Sequence, residues 1–379
     1  MDARVESRVA TRSFGRANEA HVEIIDAVRG LAALLVAGFH CLEANWSGLP
    51  AYWQLDNGAV SVSSILALAT WPFMYGSIGV PILFVVSGYV IHRRSAKQLA
   101  TGALSFDQAR FLLRRFIRIY PTLLAAIALT LICDHFTRTV LHKSTLGDNT
   151  LGDTGSLWAL LVNIVSLQGA LGPPFGSNVA LWSLAYEVQF YAFYPLALAV
   201  RSRIGAAWML VAAFGLSVLG YVVLARNGIG AFPTYFAAWW IGAYLADREA
   251  EAKTLPRWWP ALPGLLIPAG CYFFSNQRPL LMFMAWSIGF APVLAWLVQS
   301  RSRWAAVRTP LHQVGQFSYS IYAVHMPVIA LANALLLAGS QSNNLGWSLG
   351  IAAIALLFGY AIFLVAERPS IGVLSKLPR

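Results

Sequence analysis

Long apolar runs separated by short polar and basic segments dominate this chain. A bilayer core about 30 Å thick is crossed by roughly 20 apolar residues of helix. The runs therefore predict ten transmembrane helices, at residues 24–43, 76–92, 117–136, 183–200, 204–225, 231–246, 260–275, 281–299, 317–338 and 346–366. Two shorter runs, 59–73 and 157–170, are interrupted by serine or proline, and each could be a span, a re-entrant segment or an interfacial helix.

Basic residues between the runs distinguish these alternatives. With ten crossings and the amino terminus inside, most of the 27 lysine and arginine residues lie in inner segments. If 157–170 crossed the membrane, every later loop would change sides and its basic residues would face outward, against the positive-inside rule. In the ten-span arrangement Arg29 lies within the first span, and the outer basic residues are Arg138, Lys143, Arg226 and Arg278.

The pattern thus predicts an all-α, polytopic transmembrane bundle of about ten spans with both termini in the cytoplasm. Apolar residues make up 58% of the chain, charged residues 11%, and the mean hydropathy is +0.61, which is far from a soluble domain. The net charge of +11 follows from membrane orientation and requires no nucleic-acid binding. We expect a multi-pass protein of the inner (plasma) membrane.

No small-residue cleavage site of the A-x-A kind follows the first apolar run, so the first helix is expected to be retained. This predicts a basic cytoplasmic tail at 1–23, a transmembrane domain at 24–369 and a cytoplasmic tail at 370–379. The cysteines lack CxxC spacing and are predicted to be packing residues, with no disulfide and no metal site: they are Cys41, Cys133 and Cys271.

The first predicted span carries two ionisable residues, Arg29 and His40. Eleven residues of helix turn through about 1100° and rise about 16 Å, so both side chains project from one face. Asp26 could pair with Arg29 along the helix. Singly, Arg29 could reach the lipid headgroups and His40 could be a packing residue near the outer interface. Two such groups on one stripe favour a protein interior or a wet cavity.

The stretches ILFVVSGYVIHRR and RFLLRRFIRIYP contain two further candidate features. Ser87 and Gly88 are small and predict close packing of a neighbouring helix. Arg115 and Arg118 lie on adjacent turns at the cytosolic mouth of the third span. They are either a positive-inside anchor or a pair of guanidinium forks suited to phosphate.

Glu187 and His325 also lie within predicted spans. Glu187 is about one turn inside the span 183–200 from its outer end, so its carboxylate must reach water or a partner in the bundle. His325 lies about 12 Å along its helix. Its imidazole could serve chemistry or simply form a hydrogen bond between helices.

Five motifs occur in order along residues 24–369: D-x-x-R-G-x-A-A…H, F-x-x-S-G-Y-x-I, R-x-x-R before I-Y-P, W-S-L-x-x-E-x-x-F-Y-x-x-x-P and S-Y-S-I-Y-x-x-H-x-P. Together they resemble the acyltransferase-3 family of membrane-bound O-acyltransferases. The resemblance implies a ten-helix bundle that moves an acyl group, typically acetyl, from cytosolic acyl-CoA to a hydroxyl of a carbohydrate or similar acceptor. Some members carry an extracytoplasmic SGNH hydrolase-like domain, which is not expected here.

These expectations suggest roles for the candidate residues. Arg115 and Arg118 would hold the phosphates of acyl-CoA, which is a donor substrate and not a tightly bound cofactor, and Arg29 would line its route. His40 would accept the proton of the acceptor hydroxyl as general base. Glu187 would orient the imidazole or the sugar.

Several alternatives remain open at this stage. A covalent acyl-histidine relay could replace direct base catalysis, and His325 is the next candidate base. A transporter or flippase of a glycan or small metabolite would also place polar residues inside a bundle, although the motif order contains no inverted repeat. A structural membrane subunit would not require these ionisable residues together. Candidate acceptors are O-antigen, exopolysaccharide, a Nod-type oligosaccharide and a macrolide-like metabolite.

The ten-span topology predicts which loops are accessible from each side. In variants that carry one cysteine in a background without the native three, cysteine labelling should find 137–156 outside. The segments 93–114, 247–258 and 301–312 should be labelled only from inside, because they hold most of the basic residues. Labelling of 201–203 from outside would contradict the topology.

Overall fold

The computed structural model describes residues 3–47, 62–144, 153–224, 232–253, 256–300 and 305–377. Within these ranges the chain forms helices and isolated bridges but no strand, so the all-α class is confirmed. In chain order the helices are α1 (Ala3–Asn45), α2 (Val62–Met74), α3 (Gly79–Ala100), α4 (Gln108–Thr139), α5 (Leu157–Ile164), α6 (Leu181–Ile204), α7 (Ala206–Val223), α8 (Phe236–Ala250), α9 (Leu262–Ser275), α10 (Pro279–Gln299), α11 (Ala305–Gln316), α12 (Ser318–Leu336), α13 (Leu345–Ile362) and α14 (Arg368–Lys376).

Each of the ten predicted spans overlaps with one of these helices. Within the described residues, six segments are long and apolar enough to cross a membrane: Gly76–Ala100, Gln108–Thr139, Ala206–Val223, Pro279–Gln299, Ser318–Leu336 and Leu345–Lys376. The multi-pass character is therefore confirmed, whereas the count of ten and the cytoplasmic position of the termini stay predictions. Arg226, predicted to be outside, lies beyond the described residues, as does part of the loop 137–156.

The two short apolar runs form helices that are too short to cross a bilayer. Helix α2 has 13 residues and α5 has 8, which correspond to about 20 Å and about 12 Å of rise against a core of about 30 Å. Residues 59–61 of the first run lie outside the described part of the chain. These lengths suit re-entrant or interfacial segments and are too short for further spans.

A non-helical segment, residues 165–180, follows α5 and enters the helix bundle. Side-chain amides hold it there: Gln168 Nε2 donates to the Leu181 carbonyl (2.8 Å), and Asn178 Nδ2 donates to the Ala323 carbonyl in the middle of α12 (2.9 Å). Both amide side chains are fully buried. Because buried backbone needs hydrogen-bond partners, these contacts fix the segment and place the start of α6 inside the bundle.

Three elements differ from the sequence expectations. Helix α1 begins at Ala3 and not near residue 24, so the polar tail 1–23 is largely helical and continuous with the first span; no proline interrupts it. Helix α11 was not predicted and packs along α1, where Gly315 lies against the Asp26 carbonyl. The expected tail 370–379 forms most of α14, which packs on α4.

Helices α3 and α8 cross at two glycines, which allow their backbones to approach closely. A Cβ at Gly88 would overlap the Trp239 carbonyl oxygen, and a Cβ at Gly242 would overlap that of Val85. This confirms the packing role predicted for Gly88. The crossing fixes α3, whose other face lines the site described below.

Gly88→Ala should therefore lower the stability of the protein. Adding a methyl group against a backbone carbonyl forces α3 and α8 apart, and overpacking of this kind typically costs about 1–3 kcal/mol or more. The measurement is thermal unfolding in detergent. Gly215→Ala is the matched control, because Gly215 is helical and has no neighbouring atom within 4 Å of an added Cβ. Equal melting temperatures for the two variants would contradict the crossing.

Candidate active site

The structure brings His40 of α1 and His325 of α12 together. His40 Nδ1 and His325 Nε2 are 3.0 Å apart, and the rings stack with centroids 5.2 Å apart at 26°. The His325 Nδ1 lies 2.8 Å from the Tyr322 carbonyl oxygen, and the His325 side chain has no exposed surface. We refer to these two residues as the histidine pair.

The hydrogen bonds of the pair assign its tautomers. A carbonyl oxygen can only accept, so His325 Nδ1 carries the proton, and in a neutral ring His325 Nε2 is then an acceptor. His40 Nδ1 must consequently donate to it. This leaves the lone pair of His40 on Nε2. His325, and not Glu187, is therefore the residue that shares a side-chain hydrogen bond with the His40 imidazole.

A cavity of about 310 Å³ lies between α1, α3, α4, α6 and α12. Its lining follows α3 from Val80 to Arg93, which are thirteen positions apart in sequence, or about 20 Å along the helix. The guanidinium groups in its lining belong to Arg29, Arg93, Arg115 and Arg118, and the carboxylates to Asp26 and Glu187. We call the side of the bundle near Arg93 the basic end, because Arg110, Arg114 and Lys97 lie there as well.

Among the described residues the side chain of Arg115 forms no salt bridge, although the Glu187 carboxylate acts on it at longer range. Its guanidinium carbon lies 5.7 Å from the ring centroids of Phe111 and of Tyr191, a cation–π arrangement that holds the side chain in place. Its Nε is buried without a hydrogen-bond partner in the described part of the chain. Arg115 lines the cavity, as expected of a residue that binds a ligand there.

Arg118, one turn further along α4, is already partly neutralised. Its Nη2 lies 2.7 Å from Oε1 of Glu367, which is fully buried and also accepts from the hydroxyl of Ser320 (2.5 Å). The Arg118 Nη1 is buried and has no hydrogen-bond partner among the described residues. One edge of this guanidinium is therefore held by the protein, and the other is available to the cavity.

Arg29 and Asp26 occupy the positions expected from their spacing. Arg29 Nη1 lies 3.7 Å from Asp26 Oδ1, and both side chains line the cavity. The predicted pairing along α1 is confirmed. Asp26 Oδ2 also lies 3.6 Å from Nδ1 of His312 in α11, so the unpredicted helix contacts a residue of the cavity lining.

Glu187 does not lie beside His40. Its carboxylate accepts hydrogen bonds from Ser87 Oγ (2.8 Å) and from the Tyr191 hydroxyl, and Ser87 Oγ also accepts from Trp239 Nε1 (3.2 Å). Its position near the outer end of its span stays a prediction, and the structure adds that its carboxylate lines the cavity. Ser87, interpreted as a packing residue, is also part of this polar network.

The structure also shows a buried ionic cluster that sequence analysis missed. His92 Nε2 lies 3.0 Å from Asp247 Oδ1, and Arg201 binds the same carboxylate through Nε (2.8 Å) and Nη2 (3.0 Å). His92 Nδ1 lies 3.0 Å from the Tyr194 hydroxyl. The cluster ties α3, α6 and α8 together at the basic end. In the sequence these residues are indistinguishable from ordinary charged span ends.

The described helices thus form a membrane bundle with an arginine-lined cavity that is separated by Tyr322 from a buried histidine pair. The chain belongs to the acyltransferase-3 family: the family model, described as "Acyltransferase domain", matches residues 22–364. The resemblance seen in the five motifs is thereby confirmed.

Named relatives agree with this assignment. The chain is 25% identical to the "Putative membrane-bound transacylase BcsY" of Komagataeibacter xylinus, over 93% of this chain and 84% of the relative. It is 27% identical to the "Peptidoglycan O-acetyltransferase OatA" of Listeria monocytogenes, over 85% and 51%, and 25% identical to the "Acyltransferase MdmB" of Streptomyces mycarofaciens, over 79% and 82%. The chain thus spans about half the length of OatA. No solved structure matches it significantly. The protein is an O-acyltransferase.

Proposed function

We propose that this enzyme moves an acyl group, acetyl by default, from acyl-CoA in the cavity to a hydroxyl of a carbohydrate or related acceptor. The observation that carries the proposal is Arg115, a buried guanidinium without a salt bridge among the described residues, in a cavity whose lining includes Tyr322, which contacts the histidine pair. Burying such a charge is costly unless an anion joins it. The basic end faces the cytosol of a cell bounded by the inner (plasma) membrane, where acyl-CoA is available.

The donor is bound by its phosphates at the basic end. Coenzyme A is a polyphosphate carried on a long, thin pantetheine arm, which suits a cavity that is basic at its mouth and apolar further in. Arg115 and the free edge of Arg118 grip the phosphates, and Arg29 lies on the route of the arm. Because Glu187 faces the cavity, we assign it to the donor and not to the imidazole of His40.

The transfer itself uses His40 Nε2 as general base. The acceptor oxygen forms a bond to the thioester carbonyl carbon while its proton moves to His40 Nε2. The carbon–sulfur bond breaks, and the coenzyme A thiolate leaves and takes up the proton. The hydrogen bond from His40 Nδ1 to His325 supports this tautomer, since it leaves the lone pair on His40 Nε2 to accept the proton.

The acceptor is a hydroxyl of a surface carbohydrate or a related molecule. Two relatives are named peptidoglycan O-acetyltransferases, which supports a glycan without specifying which one. Mass spectrometry of surface glycans and extracted metabolites, with and without the gene, tests this assignment. An acyl group that disappears from one glycan in the deletion strain and returns with the wild-type gene identifies the acceptor. Unchanged acylation of both fractions argues against it.

Arg115→Ala should raise the KM for acyl-CoA about 10- to 100-fold, since a hydrogen bond to a charged group is worth about 1.5–3 kcal/mol. Arg115→Lys should restore only part of this loss, because the ammonium lacks the planar fork. Initial rates with purified protein in detergent provide the measurement. Arg110→Ala is the control: Arg110 lies on the same helix but is exposed and paired with Asp107.

Arg118→Ala should behave differently from Arg115→Ala. It leaves the buried Glu367 without its cation, and breaking a buried pair is strongly destabilising, so a lower melting temperature should accompany its higher KM. A folded Arg115→Ala protein with unchanged KM would return the cluster to the role of a topological anchor.

His40→Ala should lower the turnover number about 10²- to 10⁴-fold, the usual contribution of a general base, while donor binding is retained. The measurement is acyl transfer by purified protein, normalised to folded material, beside a binding assay for the donor. His135→Ala is the control, because His135 is exposed on α4. Turnover near the wild-type value in His40→Ala would exclude His40 and transfer the base role to His325.

A further inference from the structure

Tyr322 lines the cavity at its boundary with the histidine pair. Its side chain is among the cavity lining and is nearly fully buried. Its hydroxyl lies 2.5 Å from Ser183 Oγ, and Ser183 Oγ in turn donates to the Ala180 carbonyl (3.2 Å). Since serine has one hydroxyl proton, Ser183 accepts from Tyr322. The tyrosine ring is thus fastened across the gap between α12 and α6.

The same residue forms the boundary with the histidine pair. The Tyr322 carbonyl accepts from His325 Nδ1, and the two rings meet edge to face with centroids 5.6 Å apart. Of the cavity-lining residues, Tyr322 is the one for which the described structure shows a hydrogen bond or ring contact with the pair. Donor and base are therefore on opposite sides of one aromatic side chain.

The residues packed around Tyr322 leave its side chain little room to move. Helix α12 is buried on all sides from Ser318 to Pro327, and Gly359 of α13 packs directly against the Ile321 backbone. On the cavity side, Phe84 is held between the rings of Phe190 and Phe283. Because packed interiors resist displacement, the space beside the Tyr322 ring is set by these contacts.

We propose that Tyr322, held by Ser183, is the acyl-size determinant of the enzyme. The acyl group passes beside its ring to reach His40, and the opening admits an acetyl-sized group in preference to longer chains. This rests on the proposed function, because it requires a donor in the cavity and a base at His40. Tyr322 contacts the passing acyl group and acts on specificity, whereas Ser183 positions the ring.

The test compares acetyl-CoA with butanoyl-CoA as donors for purified protein in detergent. The wild type should prefer acetyl-CoA. Tyr322→Leu, which shortens the side chain but keeps it apolar, should raise the ratio of kcat/KM for butanoyl-CoA over acetyl-CoA about tenfold or more, since discrimination by one methylene is worth roughly 10- to 200-fold. Ser183→Ala and Tyr322→Phe remove the same hydrogen bond, so each should raise the ratio less than Tyr322→Leu does. The double variant should raise it no further than either single variant.

Tyr319→Leu is the matched control. Tyr319 lies one turn nearer the basic end of the same helix, lines the same cavity and contacts Arg118; its loss should change the KM for both donors and leave their ratio alone. An active wild type with the same donor ratio in Tyr322→Leu as in Tyr319→Leu overturns the size determinant. A wild type that consumes neither acyl-CoA overturns the proposed donor instead.

Discussion

The energetic cost of a charge inside an apolar bundle governs the arrangement of this protein. Ionised groups within a membrane domain need a partner or water, and almost every one described here has a partner from another element. Glu367 neutralises Arg118, and Asp247 is bound by both His92 and Arg201. Arg115 contacts aromatic rings and forms no salt bridge among the described residues. The proposal of an anionic donor rests on that exception.

The paired charges also serve as ties between helices. The Asp247 cluster joins α3, α6 and α8, while Glu367, in a π-helical turn between α13 and α14, reaches α4. Turns of π-helix are rare and often occur at functional sites. Close glycine contacts complete the frame at Gly88 and Gly242. The cavity is therefore enclosed by elements whose relative positions are fixed by both charge and backbone contact.

The site separates two chemical tasks along one path. Guanidinium groups gather at the basic end, where a phosphate-rich donor would be held, and the neutral histidine pair lies further in, beyond Tyr322. Guanidinium groups placed next to the imidazole would favour its neutral form. They would also draw the phosphates of a donor to the same place, and the phosphates would then crowd the reacting atoms. The length of α1 keeps Arg29 and His40 about 16 Å apart on one face, so a single helix would carry both of the proposed functions.

The sequence by itself determined the helical membrane class, the family, and the pairing of Arg29 with Asp26, because these depend on apolar run length, motif order and spacing within one helix. It also named Arg29, Arg115, Arg118 and Glu187 of the cavity lining, and each histidine of the pair singly. Only the tertiary structure decided that His325 and not Glu187 contacts His40, and that Tyr322 lies between the cavity and the histidine pair. Those relations join α1, α6 and α12, and the position of α6 depends on a non-helical segment held by buried amides. Helical periodicity places residues around one axis, but it carries no information on which distant helices meet.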